Sequence, residues 1–283
     1  MNDKPPFYGD QIQGERESQE DTFGIEVFAD EILFLLCDGM GGHVAGKQAS
    51  SLAVKEFTRG VFNNITVPIH RRLEDGLVLA NKAIQQTVSQ SVELKGMGTT
   101  LVAVYLSGDS IHWVSVGDSP LWLVRENNIQ RLNADHSLAA VFKKLVDVGQ
   151  MTTQDAANDP KRHALLSSVS GSEIQHIDLR ESPFSLQDGD CILLASDGLE
   201  TLSDEDIIRL VVGNITPEKC VVQLLDTVKI YQKPQQDNAT VIFYRHGMSS
   251  GKISNFTFSI SKLLFTFLVA ACLIAGVWQF MLN

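Results

Sequence analysis

The chain has 283 residues, of which 44% are hydrophobic and 20% are charged, so it can bury a sizeable core and is not disordered as a whole. Acidic residues outnumber basic ones by 34 to 23, and the resulting net charge of −11 argues against nucleic acid as a partner. The four cysteines are too far apart for a zinc ribbon or a disulfide framework. We expect Cys37 and Cys191, which lie in apolar runs, to be buried and reduced.

The first predicted elements are a buried strand and a pair of helices. Residues 32–37 form a short, continuously apolar run, which is typical of a strand buried on both faces. This run ends in the glycine-rich turn of residues 38–42. Apolar residues at helical spacing then predict helices over residues 46–62 and 74–92.

The next part of the chain favours short strands. Residues 99–106, 111–116 and 121–124 are β-rich, and the short connections between them favour antiparallel hairpins. Residues 134–163 are polar and mixed, which indicates a helix followed by a loop.

Residues 191–244 repeat the pattern of a buried strand followed by two helices. A buried strand is predicted over residues 191–195, helices over 204–212 and 216–229, and a closing strand over 239–244. Hairpins combined with helices in pairs indicate a layered α+β fold.

Carboxylates lie at the ends of several predicted strands. Asp38 and Asp197 each follow a buried strand and precede a glycine, while Asp118 ends a hairpin strand. Glu20 and Asp21 precede the first predicted strand, and Asp237 precedes the last. Any one of these aspartates alone is an ordinary turn former. Together they favour convergence on hard divalent cations, which take oxygen ligands.

Six motifs that contain these acids occur in a fixed order along the chain. They are Arg16-x-x-x-Glu20-Asp21, Leu36-Cys37-Asp38-Gly39-Met40-Gly41-Gly42-His43, Gly96-x-Gly98-Thr99-Thr100, Val116-Gly117-Asp118-Ser119, Ala195-Ser196-Asp197-Gly198 and Gln236-Asp237-Asn238-Ala239-Thr240. In this order they resemble the motifs of the metal-dependent PP2C-type (PPM) protein serine/threonine phosphatases. Residues 134–175 are similar to the flap segment of the bacterial branch. The resemblance implies a central antiparallel β-sandwich flanked by helix pairs.

The resemblance also implies a cofactor, Mn²⁺ or Mg²⁺, bound as two or three ions. It assigns Asp38 as the residue that bridges two ions, Asp197 and Asp237 as the completion of one site, and Glu20 with the backbone carbonyl of Gly39 as the completion of the other.

By the same resemblance, Asp118 would hold a third, weaker ion. Asp21 and Asn238 are expected beside the ligands. Arg16 is expected to bind the substrate phosphate, and the alternative for Arg16 is a surface ion pair with Glu17 or Glu20.

The activity implied is hydrolysis of phosphoserine and phosphothreonine on proteins, substrates of a serine/threonine kinase, by attack of a water that bridges the metal ions. Eukaryotic members often carry a histidine where this chain has Met40, and we expect His43, three positions later, to be structural. His136 and His163 are expected on the surface. The alternatives are a catalytically inactive, membrane-anchored relative that binds phosphoproteins and a hydrolase of small phosphorylated metabolites.

The C-terminal part differs from the rest, because all the acidic residues lie before position 247. Residues 263–282 contain no charge and are long enough, at ~1.5 Å per residue, to cross a bilayer as a transmembrane helix. Lys252 and Lys262 lie on the near side, which favours a cytoplasmic catalytic domain. We therefore expect a phosphatase domain over residues 1–246, a tether over 247–262 and a single-pass lipid anchor, in the inner membrane if the chain is bacterial.

Overall fold

The computed structural model describes residues 5–214 and 216–247. In chain order its strands are β1 (Phe7–Ile12), β2 (Thr22–Phe28), β3 (Glu31–Cys37), β4 (Gly39–Met40), β5 (Gly98–Thr99), β6 (Leu101–Ser107), β7 (Ser110–Val116), β8 (Leu121–Arg125), β9 (Asn128–Arg131), β10 (Asp178–Leu179), β11 (Phe184–Ser185), β12 (Cys191–Ala195) and β13 (Ala239–Arg245). The α-helices are α1 (His43–Asn63), α2 (Ile69–Gln90), α3 (Leu138–Asp147), α4 (Thr153–Asn158), α5 (Asp204–Gly213) and α6 (Pro217–Tyr231).

The long strands form two antiparallel sheets. One sheet has the order β1-β13-β12-β8-β9, and the other has the order β10-β7-β6-β3-β2, with β11 also paired to β7. The predicted hairpin between β6 and β7 is confirmed. The predicted hairpin between β7 and β8 is wrong, because residues 117–120 carry the chain from one sheet to the other. Gly117 permits this crossing, since its φ of 101° lies in a region that side chains disfavour.

The apolar residues of each central strand alternate between two cores. In β3, Phe34 and Leu36 face the opposite sheet and pack against residues such as Ile242. Leu33 and Leu35 face the other way, into a core shared with α1 and α2. This double burial explains why β3 is continuously apolar.

The sheet β1-β13-β12-β8-β9 is covered in the same way, by α5 and α6. Leu193 of β12 and Phe243 of β13 pack against Leu224 of α6 and its neighbours. Two antiparallel sheets therefore pack face to face, and each carries a helix pair on its outer face. The predicted α+β sandwich with flanking helix pairs is the observed arrangement.

Several element boundaries differ from the predictions. Helix α1 begins at residue 43 rather than 46, and α2 begins at 69 rather than 74. The early start of α2 was hidden because Arg72, a charged residue, is buried there. Residues 134–163 contain two short helices, α3 and α4, rather than one.

Strands β1, β2 and β9 were not predicted. They lie at the sheet edges. Strands β1 and β2 are half-buried along most of their length and β9 alternates between exposed and half-buried residues, so the apolar pattern of all three is weak. In β2 a signal was nevertheless present, because Phe23, Ile25 and Val27 alternate and pack against the core between the sheets.

In residues 5–214 and 216–247, none of the helices combines the length and the apolar character of a membrane-spanning helix. The predicted tether and transmembrane segment, residues 247–282, lie outside the described residues apart from Gly247. Cys37, Cys191 and Cys220 are buried free thiols, as predicted for the first two.

Candidate metal centre

The strand order brings the predicted aspartates to one end of the sandwich. In the second sheet, Asp38 follows β3 and Asp118 follows β7, and these strand ends lie on either side of the start of β6. In the first sheet, Asp197 follows β12 and Asp237 precedes β13, which runs antiparallel beside it. All four side chains are half-buried at this end of the molecule.

Asp21 connects the two sheets at the same end. Its Oδ2 accepts hydrogen bonds from the hydroxyl of Ser196 (2.7 Å) and from the hydroxyl of Thr240 (2.6 Å). Asp21 lies at the start of β2 in one sheet, whereas Ser196 and Thr240 lie at the adjoining ends of β12 and β13 in the other. Asp21 therefore fixes the position of the Asp197 and Asp237 segments relative to Asp38.

The backbone of Asp38 is held by two threonines of the β5–β6 segment. Its carbonyl accepts a hydrogen bond from the Thr100 amide (2.8 Å) and one from the Thr99 hydroxyl (2.8 Å), and its amide donates to the Thr100 hydroxyl (3.0 Å). The sequence motif contained both threonines, but no pattern in it indicated this role.

Asp38 lies at the electrostatic centre of the cluster. Burial raises the pKa of its carboxyl well above the ordinary value, and the nearby charges of Asp21, Asp197, Asp118 and Asp237 raise that pKa further. Like charges that share a site disfavour ionisation of one another. The pKa of Asp38 is thus affected by the charges of all four of these aspartates.

The pKa values of the surrounding carboxyls are raised as well. Burial and the charge of Asp237 raise the pKa of Asp197 to about 6, and burial raises the pKa of Asp21 to about 6 against its two hydroxyl hydrogen bonds. Burial, then the charges of Asp197 and other acids, raise the pKa of Asp118 to about 7. This end of the sandwich holds more negative charge than its own basic side chains compensate.

Gly46 of α1 packs closely against both Glu20 and Gly39. A Cβ atom at Gly39 would overlap the carbonyl oxygen of Gly46 and lie 2.7 Å from that of Glu20. A Cβ atom at Gly46 would overlap Oε2 of Glu20. At Gly39 the atoms met belong to the backbone, so only glycine fits there, whereas at Gly46 the Glu20 side chain would have to move. The Glu20 carboxylate therefore lies close to the Asp38–Gly39 turn.

Asn238 holds the loop that carries Glu20. Its side-chain oxygen accepts a hydrogen bond from the Glu20 amide (2.8 Å), and its Nδ2 donates to the carbonyls of Gln13 (2.7 Å) and Ser18 (3.0 Å). Asn238 thus contacts the Glu20 segment, and Asp21 contacts the strands that carry Asp197 and Asp237.

Arg16 has an acidic partner that the sequence analysis did not consider. Its Nη2 donates to Oδ2 of Asp237 at 2.6 Å, and the two side chains are 56% and 35% exposed. Arg16 therefore lies at the mouth of the acidic cluster, where its guanidinium is accessible to solvent.

The residues present fit divalent cations in their chemistry. The donor atoms are carboxylate and carbonyl oxygens, the ligands that Mg²⁺ and Mn²⁺ prefer. One oxygen each of Asp197 and Asp21 is buried without a hydrogen-bond partner, a costly state for an ionised group that a cation would relieve. In the described part of the chain, no three Asp, Glu, His or Cys side chains are yet gathered tightly enough to hold one ion.

The histidines divide into two kinds. His163 is exposed, as predicted, but His136 is 8% exposed and the prediction for it was wrong. Its Nδ1 accepts a hydrogen bond from the Gly117 amide (3.3 Å), a long-range contact with no sequence signal. The side chain of His43 lies outside the described part of the structure.

Comparison with known proteins shows which family the chain resembles in sequence. Residues 9–226 match the family described as Protein phosphatase 2C. The match ends before Asp237 and Asn238.

Two of the similar curated proteins and one of the similar solved structures illustrate the match. The serine/threonine protein phosphatase PstP of Mycobacterium tuberculosis is 32% identical over 196 residues, which are 69% of this chain and 36% of that protein. The chain thus matches about a third of the length of this relative. The serine/threonine phosphatase stp of Listeria welshimeri is 32% identical over 195 residues, 67% of this chain and 75% of that protein. The crystal structure of the PstP catalytic domain in complex with two manganese ions superposes with a TM-score of 0.70 at 27% identity, covering 84% of this chain and 96% of that one.

Proposed function

Because the chain belongs to the protein phosphatase 2C family, we propose that it is a metal-dependent phosphatase that hydrolyses phosphoserine and phosphothreonine on proteins. Its substrates would be proteins phosphorylated by a serine/threonine kinase. The acidic cluster is the observation on which the proposal rests, since Asp38 lies among four other carboxylates whose charges raise its pKa.

The proposed ligands are those of the motif assignments. Asp38, Asp197 and Asp237 would hold one Mn²⁺ or Mg²⁺ ion. Asp38 with Glu20 and the carbonyl of Gly39 would hold a second, and Asp118 would hold a third. When bound, a pair of divalent cations lowers the pKa of a water molecule and neutralises phosphate charge.

Arg16 is the proposed phosphate-binding residue. Its planar guanidinium can donate two parallel hydrogen bonds to a phosphate. In the structure it is exposed and donates to the carboxylate of Asp237, so a phosphate can compete for the same donors. The thiols of Cys37 and Cys191 are unsuited to act as nucleophiles, because burial raises the pKa of both.

The test is hydrolysis of a phosphothreonine peptide by the purified protein with Mn²⁺, with EDTA, and in the variant Asp38→Asn. We expect activity with Mn²⁺ and loss of nearly all of it in EDTA or in Asp38→Asn. Asp226→Asn, which removes an exposed carboxylate of α6, is the control and should remain fully active.

Two other outcomes would identify the alternatives. Faster hydrolysis of sugar phosphates than of phosphopeptides would indicate a metabolite hydrolase. Binding of phosphoproteins without any hydrolysis would indicate an inactive relative.

We propose in addition that residues 263–282 anchor the phosphatase domain, residues 1–246, to a membrane through the tether of residues 247–262, with the domain on the cytoplasmic side. The support is the sequence itself, in which these 20 residues carry no charge. Such an anchor would favour membrane-associated substrates by raising their effective concentration.

Cell fractionation tests the anchor. The full-length protein should stay with membranes in a carbonate wash, and a chain truncated after His246 should be released with its peptide activity intact. Full-length protein in the soluble fraction would contradict the proposal.

A further inference from the structure

Arg131, the last residue of β9, contacts three acidic segments at the metal end of the sandwich. Its Nη2 donates to the backbone carbonyl of Asp118 (2.5 Å), and its Nη1 donates to Oδ2 of Asp135 (3.1 Å). Nη1 also lies 3.9 Å from Oε1 of Glu200, in the turn after β12. The Arg131 side chain is 22% exposed, so these contacts are partly shielded from water.

The residues that follow Arg131 hold the crossing turn, by which we mean the connection between the two sheets, residues 117–120, together with Leu121, the first residue of β8. Asn133 accepts a hydrogen bond from the Leu121 amide (2.8 Å) and donates one to the Ser119 carbonyl (3.0 Å). The amide of His136 donates to the carbonyl of Gly117 (3.1 Å). The carbonyl of Asp118 is the part of this turn that Arg131 binds.

The crossing turn is also joined to Asp38. The hydroxyl of Ser119 lies 2.7 Å from that of Thr100, and the Thr100 hydroxyl accepts the hydrogen bond from the Asp38 amide. A displacement of the crossing turn would therefore change the position of Asp118 relative to Asp38.

We propose that Arg131 is a positioning residue for Asp118: it fixes the crossing turn through the Asp118 carbonyl and holds Asp135 and Glu200 beside it. This inference rests on the proposed function in one respect, that Asp118 contacts a cation. The positioning itself is a property of the protein without metal.

The guanidinium could instead act only through its charge. A positive charge beside Asp118, Asp135 and Glu200 repels a cation, so by charge alone its removal would strengthen cation binding. Positioning predicts the reverse, because a mobile Asp118 binds a cation more weakly. The two effects have opposite signs, so one measurement separates them.

The experiment compares Arg131→Gln and Arg131→Lys with Arg125→Gln. Arg125 is the matched control, since it lies on the neighbouring strand β8 and makes a two-fold ion pair (2.6 and 2.8 Å) with the buried Asp190, which is not one of the predicted ligands. Amide exchange of residues 117–121 in the EDTA-treated protein is measured first. The Mn²⁺ concentration for half-maximal phosphopeptide hydrolysis and the KM for the phosphopeptide are measured next.

For Arg131→Gln we expect exchange in the crossing turn to be about ten-fold faster, and half-maximal activity to need about ten-fold more Mn²⁺, on the scale of a lost hydrogen bond from a charged donor. The KM should be unchanged. Arg131→Lys keeps the charge and can still donate to one of the two acceptors. Its exchange rate and its Mn²⁺ requirement should therefore lie between those of the wild type and Arg131→Gln. Arg125→Gln should change neither quantity, even though it removes the arginine partner of a buried carboxylate.

Exchange and Mn²⁺ requirement equal to those of Arg125→Gln would overturn the inference, and so would a lower Mn²⁺ requirement in Arg131→Gln. A wild-type protein without Mn²⁺-dependent hydrolysis would refute the proposed function alone. In that case the exchange measurement still decides whether Arg131 holds the turn.

Discussion

At the scale of single residues, a buried arginine joins the first helix pair to the sheet beneath it. Arg72 of α2 is 4% exposed, donates to the carbonyl of Val61 (2.9 Å) and to the hydroxyl of Tyr105 (2.7 Å), and lies over the Tyr105 ring at 4.5 Å. The Tyr105 hydroxyl in turn donates to Glu31 (2.6 Å). A buried cation is tolerated here because its donors and its charge have partners.

Removal of the central hydroxyl should destabilise this network. Tyr105→Phe leaves a donor of Arg72 and an acceptor of Glu31 without their partner, which should lower the free energy of unfolding by about 1–3 kcal/mol. Tyr231→Phe is the control, because its hydroxyl bonds to Asp206 at the surface, and it should change stability by less than about 0.5 kcal/mol. Urea unfolding of the metal-loaded protein measures both. Equal effects of the two variants would show that the buried hydroxyl adds nothing.

Arg16 should matter for substrate and little for stability. Its ion pair with Asp237 is solvent-exposed, and such pairs contribute about 0.2–1 kcal/mol. A charge-assisted contact to phosphate is worth about 1.5–3 kcal/mol, so Arg16→Ala should lower kcat/KM for a phosphopeptide roughly ten- to hundred-fold. Arg59→Ala, which removes another exposed arginine in an ion pair, should leave kcat/KM unchanged. An unaltered kcat/KM in Arg16→Ala would reduce Arg16 to a surface ion pair.

At the scale of secondary-structure elements, the site depends on how closely the turn after β12 approaches the start of β13. A Cβ atom at Gly198 would overlap the carbonyl oxygen of Asn238. Gly198 and Asn238 each follow a predicted ligand, Asp197 and Asp237, so the same close approach sets the distance between the two aspartates.

Gly198→Ala should therefore separate these segments. We expect it to lower both the melting temperature and the Mn²⁺-dependent activity. Gly213→Ala at the end of α5 is the control, because a Cβ atom there meets nothing within 4 Å, and it should be neutral or slightly stabilising. Gly198→Ala with wild-type activity would show that the clash is relieved without moving the aspartates.

Elements buried on both faces were predictable from the sequence, and elements at the edges were not. Strands β3 and β12 read as continuous apolar runs because both of their faces are covered. Strand β1 was missed because it is half-buried along most of its length at the end of a sheet. The crossing between β7 and β8 was mistaken for a hairpin, since a four-residue connection with Gly and Pro suits both.

The same limit applies to the site. The aspartates were predicted to be ligands because each lies beside a glycine or an asparagine next to a predicted strand, a local pattern. Arg131, Thr100 and His136 were not assigned roles, because their partners lie elsewhere in the chain and are brought near only by the packing of two sheets. Local sequence patterns indicate the proposed ligands, whereas the residues that would position them require the fold.

At the scale of the whole molecule, the net charge is −11, and several of the acidic side chains lie close together at one end of the sandwich. Their effect on stability therefore differs from that of acids elsewhere. Elsewhere, a basic partner offsets the cost of burying a carboxylate. Burial acts to raise the pKa of Asp190, but the hydrogen bonds from Arg125 contribute to a net lowering. In the acidic cluster, the pKa values of Asp21, Asp38, Asp118 and Asp197 are raised instead. The folded protein without metal therefore stores repulsion that the unfolded chain relieves.

This repulsion should appear as a pH dependence of the metal-free protein. A carboxyl whose pKa is higher in the folded state than in the unfolded chain keeps its proton longer when folded, so folding is favoured at low pH and loses stability as the pH rises through the window between the two values. For Asp197 and Asp118 that window runs from the ordinary 3.8 to about 6 and about 7. In EDTA the melting temperature should therefore fall from pH 5 to pH 8, by on the order of 5 °C.

Mn²⁺ should raise the melting temperature more at pH 8 than at pH 5, because the ionised cluster binds cations more tightly. Asp38→Asn, which removes the central charge, should flatten the profile in EDTA, while Asp226→Asn should not. Scanning calorimetry at both pH values measures this, and a melting temperature in EDTA that rises from pH 5 to pH 8 would contradict the electrostatic account of the site.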